Sequence, residues 1–174
     1  MQIVKTLDVT PEELFDAIEA SIIADIEDAT GKTVSRNKLN GYHYTKKTRS
    51  GKTAGASLKT KIKAYRYPSV YEAKFTYDKG SNTTRYEVEP TEDGKGCTLT
   101  YTEDYNVNVS TAGFYGKLNL FLYERRVKKR AEDTIKSVAK YARENRGRSA
   151  STLIEEAERA AADMPDDPQD ASAE

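Results

Sequence analysis

Apolar and polar positions change period twice along this chain. Residues 2–9 alternate, with Ile3, Leu7 and Val9 on one face and Lys5 among them, the pattern of a half-buried strand. Thr10-Pro11-Glu12-Glu13 then opens a helix. Thr10 is its N-cap, Pro11 suits the first helical position, and Glu13 completes a capping box. Leu14, Phe15, Ile18, Ile22 and Ile26 follow, mostly three or four apart, so the helix has one apolar face, and Gly31 stops it.

From Gly41 the period is two. Residues 42–48 put Tyr42 and Tyr44 on one face. Residues 56–66 group Ala56, Leu58, Thr60, Ile62 and Ala64 against Lys59, Lys61, Lys63 and Tyr65, and the three lysines mark the wet side. Residues 70–78 set Tyr71, Ala73, Phe75 and Tyr77 against Glu72, Lys74, Thr76 and Asp78. A hairpin loop is expected over 78–82, then a strand over 83–89 with Thr84, Tyr86 and Val88 opposite Arg85, Glu87 and Glu89. Residues 97–107 place Cys97, Leu99, Tyr101, Tyr105 and Val107 on one face, with Glu103 among them. One apolar and one charged face implies an antiparallel sheet with a single wet side, and the short turns make it a meander.

After Gly113 the spacing becomes helical. Phe114, Leu118, Phe121, Leu122, Val127, Ala131, Ile135, Val138 and Ala142 form one stripe running to Glu144. Such a helix must lie across the apolar face of the sheet. The reading is therefore an α+β domain over residues 1–145, with a strand, a helix, a five-strand antiparallel meander and a long C-terminal helix. Residues 146–174 are expected to be an acidic, largely disordered tail in which 152–162 could form a short helix.

Composition adds three points. There are 12 Tyr, 4 Phe and no Trp, so much of the apolar area comes with a hydroxyl that needs a partner. The formal charge is zero, but the tail holds eight carboxylates against three arginines, leaving it at −5 and the body at +5. A body this mildly basic does not imply a specific nucleic-acid partner. The single cysteine, Cys97, excludes an intramolecular disulfide, and no apolar run is long enough to span a membrane. With no signal-peptide core at the N-terminus, the expected location is cytoplasmic.

The order of elements resembles the helix-grip fold of the START and birch-pollen-allergen-like superfamily. Lys5-Thr6-Leu7-Asp8-Val9 leading into Pro11-Glu12-Glu13-Leu14-Phe15 is similar to that superfamily's opening. Asp25-Ile26-Glu27-Asp28-Ala29-Thr30-Gly31-Lys32, Tyr71-Glu72-Ala73-Lys74-Phe75, Tyr86-Glu87-Val88-Glu89-Pro90 and Leu99-Thr100-Tyr101-Thr102-Glu103 resemble an uncharacterised bacterial domain-of-unknown-function family within it. The resemblance implies a cavity between sheet and long helix that holds a lipid-like or polyketide-like molecule. It supplies no catalytic set that transfers residue by residue. Fuller versions have seven strands against six here, which implies a smaller or more open cavity.

The candidate cavity residues are Tyr42, Tyr44, Leu58, Ile62, Tyr71, Phe75, Tyr86, Tyr101, Glu103, Lys5, Phe114 and Leu118. Alternation puts Glu103 and Lys5 inward on strands expected to be neighbours, so the two are candidates for a buried ion pair. The lone His43 faces away from Tyr42 and Tyr44, and Cys97 reads as a small buried hydrophobe. No catalytic residue, metal site or cofactor is expected. Arg125, Arg126, Lys128, Lys129 and Arg130 form a basic patch that the acidic tail could cover. Three functions remain in order: binding of an apolar or amphipathic small molecule, a regulatory interaction module, and a cyclase- or hydrolase-like enzyme. Oligomeric state is open.

Overall fold

Strand β1 (Gln2–Leu7) leads directly into helix α1 (Pro11–Thr30) in the computed structural model, which describes residues 1–47, 55–78, 80–107 and 113–162. Side chains are described within these ranges except at 107, 113–124, 157–158 and 160–162. The capping box forms: Glu13 N donates to Thr10 Oγ1 at 3.2 Å, and Thr10 N donates to Glu13 Oε2 at 3.0 Å. Gly31 ends the helix in the left-handed region, φ 67°, and its N–H reaches the Glu27 carbonyl at 2.7 Å. Between these caps α1 is continuous and buries Leu14, Phe15, Ile18, Ile22, Ile23 and Ile26.

Strands β2 (His43–Lys47), β3 (Ser57–Arg66), β4 (Val70–Tyr77), β5 (Gly80–Pro90) and β6 (Cys97–Val107) follow a short 3-10 turn at Arg36–Lys38. They form one antiparallel sheet in the order β1-β6-β5-β4-β3-β2, so the first strand closes against the last. β5 begins three residues earlier than its sequence pattern suggests, because Gly80 and Ser81 already pair with Tyr77 and Thr76. A register shift between Ile62 and Ala64 in β3 corrects the expected alternation there. The extra residue turns Tyr65 inward, opposite Tyr71, where it is buried beside Phe15. Lys63 stays on the wet side and pairs with Glu72 at 2.6 Å.

Helix α2 (Gly113–Glu144) packs its Ala131, Ile135 and Ala142 into the core that the sheet and α1 share. Arg143 Nε donates to Asp8 Oδ1 at 2.6 Å, and Arg146 donates to the Asp8 carbonyl, which pins the end of α2 to the β1–α1 corner. Helix α3 (Ala150–Ala162) docks Ala150 and Leu153 against Ala20 of α1. The helix expected over 152–162 thus begins two residues earlier and packs on α1, and residues 163–174 lie outside the described residues. Among the described residues no helix is long and apolar enough to cross a membrane.

The β1–β6 edge leaves no room at Gly96. A Cβ there would sit 2.4 Å from the Leu7 carbonyl oxygen. Gly96→Ala should push β1 off β6 and cost about 1–3 kcal/mol, the range for overpacking, in urea denaturation. The wet face carries Arg85, which donates to Glu72 at 2.7 Å and to Glu87 at 2.6 Å. Lys63 and then Arg85 hold Glu72 below its ordinary value of 4.5, and Arg85 does the same to Glu87. Folded-state pKa values below the unfolded ones mean that this stabilisation is present above about pH 4.5 and is lost as pH falls through the lowered values. The urea midpoint should therefore drop between pH 5 and 3, and Glu72→Gln should shallow that drop.

Candidate functional site

The antiparallel register arranges the inner face of the sheet in rows. One row runs Tyr65, Tyr71, Tyr86, Tyr101, Ile3. The next runs Ile62, Ala73, Thr84, Glu103, and a third runs Tyr44, Thr60, Phe75, Asn82, Tyr105. The middle row is small at Ala73 and Thr84 and ends at a carboxylate, and all four of its residues are buried. Tyr86 stacks edge-on against Tyr101, 5.0 Å between centroids, and lies 5.9 Å from Tyr71.

Each buried phenol in such a face needs an acceptor. Around the rim the chain supplies carboxylates. Tyr44 donates to Asp25 at 2.5 Å, Tyr65 donates to Glu19, Tyr67 reaches Asp16 at 3.4 Å, and Tyr101 donates to Glu103 at 2.8 Å. Asp16, Glu19 and Asp25 all stand on α1, so these bonds also seat the helix on the β2–β3 side of the sheet. Burial first, then the neighbouring carboxylate, raises the pKa of Tyr44 and of Tyr65.

The central phenols differ. Neither the Tyr71 nor the Tyr86 hydroxyl has a hydrogen-bond partner among the described residues; Tyr71 is buried and Tyr86 half-buried. Burial pushes the Tyr86 hydroxyl up to about 12, yet the residue is only half-buried by surface exposure. Protein surrounds the ring, while part of its surface remains uncovered. Thr60, 2% exposed, lies beside the Tyr44 phenol but has no hydrogen bond of good geometry. Phe75 and Leu58, toward the same end of the sheet, are half-buried.

Glu103 is 7% exposed and accepts from Asn82 Nδ2 and from Tyr101 Oη, both at 2.8 Å. The expected pair with Lys5 does not form. Lys5 sits opposite Leu99, four residues along β6 from Glu103, and its side chain is exposed at the outermost strand. Tyr42 is half-buried against the core, while Tyr44, Ile62, Tyr71 and Tyr101 are buried. Phe114 and Leu118 lie in α2, but their side chains are outside those described.

Residues 1–125 match the model of the family described as domain of unknown function DUF3284. The chain belongs to the DUF3284 family. Solved structures share its architecture at low identity. Ara h 8.0201 superposes with a TM-score of 0.55 at 14% identity, over 83% of this chain and 97% of that one. A protein of unknown function, SA2116 from Staphylococcus aureus, gives 0.58 at 9%, over 91% and 94%. DynU16, a protein of the dynemicin biosynthetic locus, gives 0.54 at 8%, over 86% of this chain and 48% of that one. At these identities the likeness is one of fold, the helix-grip architecture with its C-terminal helix on the sheet. No curated protein matches the chain.

Elsewhere in this DUF3284 chain, His43 is exposed on β2 opposite Lys61. Cys97 is fully buried between Leu7 and Pro90, and burial pushes its thiol up to about 11, so it stays protonated at neutral pH. No group of three or more metal-ligating side chains occurs among the described residues. Arg125, Arg126, Lys128, Lys129 and Arg130 are exposed on α2. Glu19 is the buried charge that pattern reading passed over. It stands four residues after Phe15 and three before Ile22, inside the apolar stripe, and that spacing was its signal. It is 4% exposed and takes the Arg36 Nε at 2.6 Å as well as the Tyr65 hydroxyl, while Arg36 lies 3.7 Å over the Tyr67 ring. Glu19→Ala would strand two donors and should cost roughly 1–3 kcal/mol in urea denaturation, the penalty for a buried unsatisfied group.

Proposed function

We propose that this domain binds an apolar or amphipathic small molecule between the inner face of the sheet and α2, without reacting on it. The observation that carries this reading is the state of the central phenols. Tyr71 is buried and Tyr86 half-buried at the centre of the inner face, and neither hydroxyl has a hydrogen-bond partner among the described residues. Elsewhere on this face the chain gives its buried phenols acceptors, as at Tyr44, Tyr65 and Tyr101. Ligand sites combine apolar walls with a few convergent polar groups, and half-buried Phe75, Asn82 and Tyr86 beside Glu103 offer that combination on the inner face. The helix-grip fold is compatible with this use. Gentle purification from the host followed by native mass spectrometry should show an added mass of a few hundred daltons. Protein stripped of it should bind a hydrophobic dye that the extracted molecule displaces. A bare mass together with no dye binding would count against the reading.

A second reading rests on the outside of α2. Arg125, Arg126, Lys128, Lys129 and Arg130 are exposed and form no ion pair among the described residues. The segment beyond α3 carries Asp163, Asp166, Asp167, Asp170 and Glu174. In this reading the helix is an interaction surface that the acidic segment shields. Truncation after Ala162 should then raise the salt concentration needed to elute the protein from heparin by more than the loss of five charges accounts for. Full-length and truncated proteins that differ only by that charge would dismiss the shielding.

A further inference from the structure

Glu103 is a buried carboxylate whose side-chain partners are both neutral. Asn82 and Tyr101 donate one hydrogen bond each, which leaves acceptor positions on a group that offers about four. Ion pairs elsewhere in the molecule show the alternative the chain uses when it neutralises a carboxylate itself: Glu19 with Arg36, Asp25 with Lys46, Glu72 with Lys63 and Arg85. Glu103 has no such cation among the described residues. Lys5 stands away from it, and the Met1 ammonium donates to the Glu103 main-chain carbonyl at 2.7 Å, not to the carboxylate. The described residues that α2 buries, Ala131, Ile135, Ala139 and Ala142, bring no charge.

The surroundings of this carboxylate are aromatic. Tyr101 and Tyr86 meet edge to face at 78°, and Tyr86 is close enough for the Glu103 charge to raise its pKa further. Tyrosine faces attract cations, and the attraction grows when water is excluded. Among the described residues Glu103 has no counter-ion, and a buried anion without one is costly, so a ligand that brings the cation would complete the site. A ligand carboxylate placed at the same point would meet a like charge.

We infer that the polar end of the ligand is an ammonium or a related cationic donor, held by Glu103 with Tyr86 and Tyr101, while its apolar part lies along the inner face toward Phe75. This inference rests on the cavity-binding reading above and names the ligand class within it.

The test uses the full chain, stripped of ligand, with three probes of equal length below their micelle concentrations: octylammonium, octanol and octanoate. Calorimetric titration at pH 7 should rank octylammonium first. Its advantage over octanoate should be about ten- to hundredfold, the range for a hydrogen bond to a charged group. In Glu103→Gln the advantage should collapse while octanol binding stays the same. If that variant fails to fold, the wild-type ranking alone decides. Octanoate binding as tightly as octylammonium, or a preference that survives Glu103→Gln, would overturn the inference and leave the cavity reading standing. Failure of all three probes to bind would remove both.

Discussion

Tyrosine hydroxyls buried on the inner face of the sheet must be given acceptors, and the structure is organised around where those acceptors stand. The chain has 12 Tyr and no Trp, so its largest apolar surfaces arrive with a polar tip. At the β2–β3 edge the acceptors are carboxylates on α1, Asp25 for Tyr44 and Glu19 for Tyr65. At the β6 side the acceptor is Glu103 for Tyr101. The sheet is thereby tied to its first helix at one edge and carries a buried anion toward the other. Between them lie Tyr71 and Tyr86, whose hydroxyls have no hydrogen-bond partner among the described residues.

The helices follow from the same arrangement. With α1 seated by its carboxylates, its remaining face offers Ala17 and Ala20, and α2 and α3 bring Ala131, Ala139, Ala142 and Ala150. Small side chains let helix backbones approach closely. The Asp8 corner then takes Arg143 and Arg146, which fixes the end of α2 relative to the first strand. That anchor holds the C-terminal half of α2 over the core and leaves its basic stretch, Arg125 to Arg130, on the outside.

Most of the architecture was legible because its signals are local. The capping box at Thr10, the stop at Gly31, the alternation in four of the five meander strands and the helical stripe through Ala142 each depend on neighbours in sequence. Tyr65 was misplaced because a register shift within β3 breaks alternation, and nothing in the residues themselves announces it. The Lys5–Glu103 pair failed for a related reason. Alternation correctly puts both on one face, but only the register decides which residues stand opposite, and it sets Lys5 against Leu99 and Glu103 against Thr84. Glu19 was missed because an acid inside an apolar stripe has meaning only when its partners, Arg36 and Tyr65, are known to converge on it.

By itself the sequence determined the fold class, the order and faces of the elements, and the wealth of inward tyrosines, since periodicity and caps encode these within a few residues. Only the tertiary structure decided which phenols have acceptors and which do not. That distinction depends largely on contacts between residues far apart in sequence, such as Tyr44 with Asp25 and Tyr65 with Glu19, and on the register that leaves Tyr71 and Tyr86 facing each other without an acceptor among the described residues.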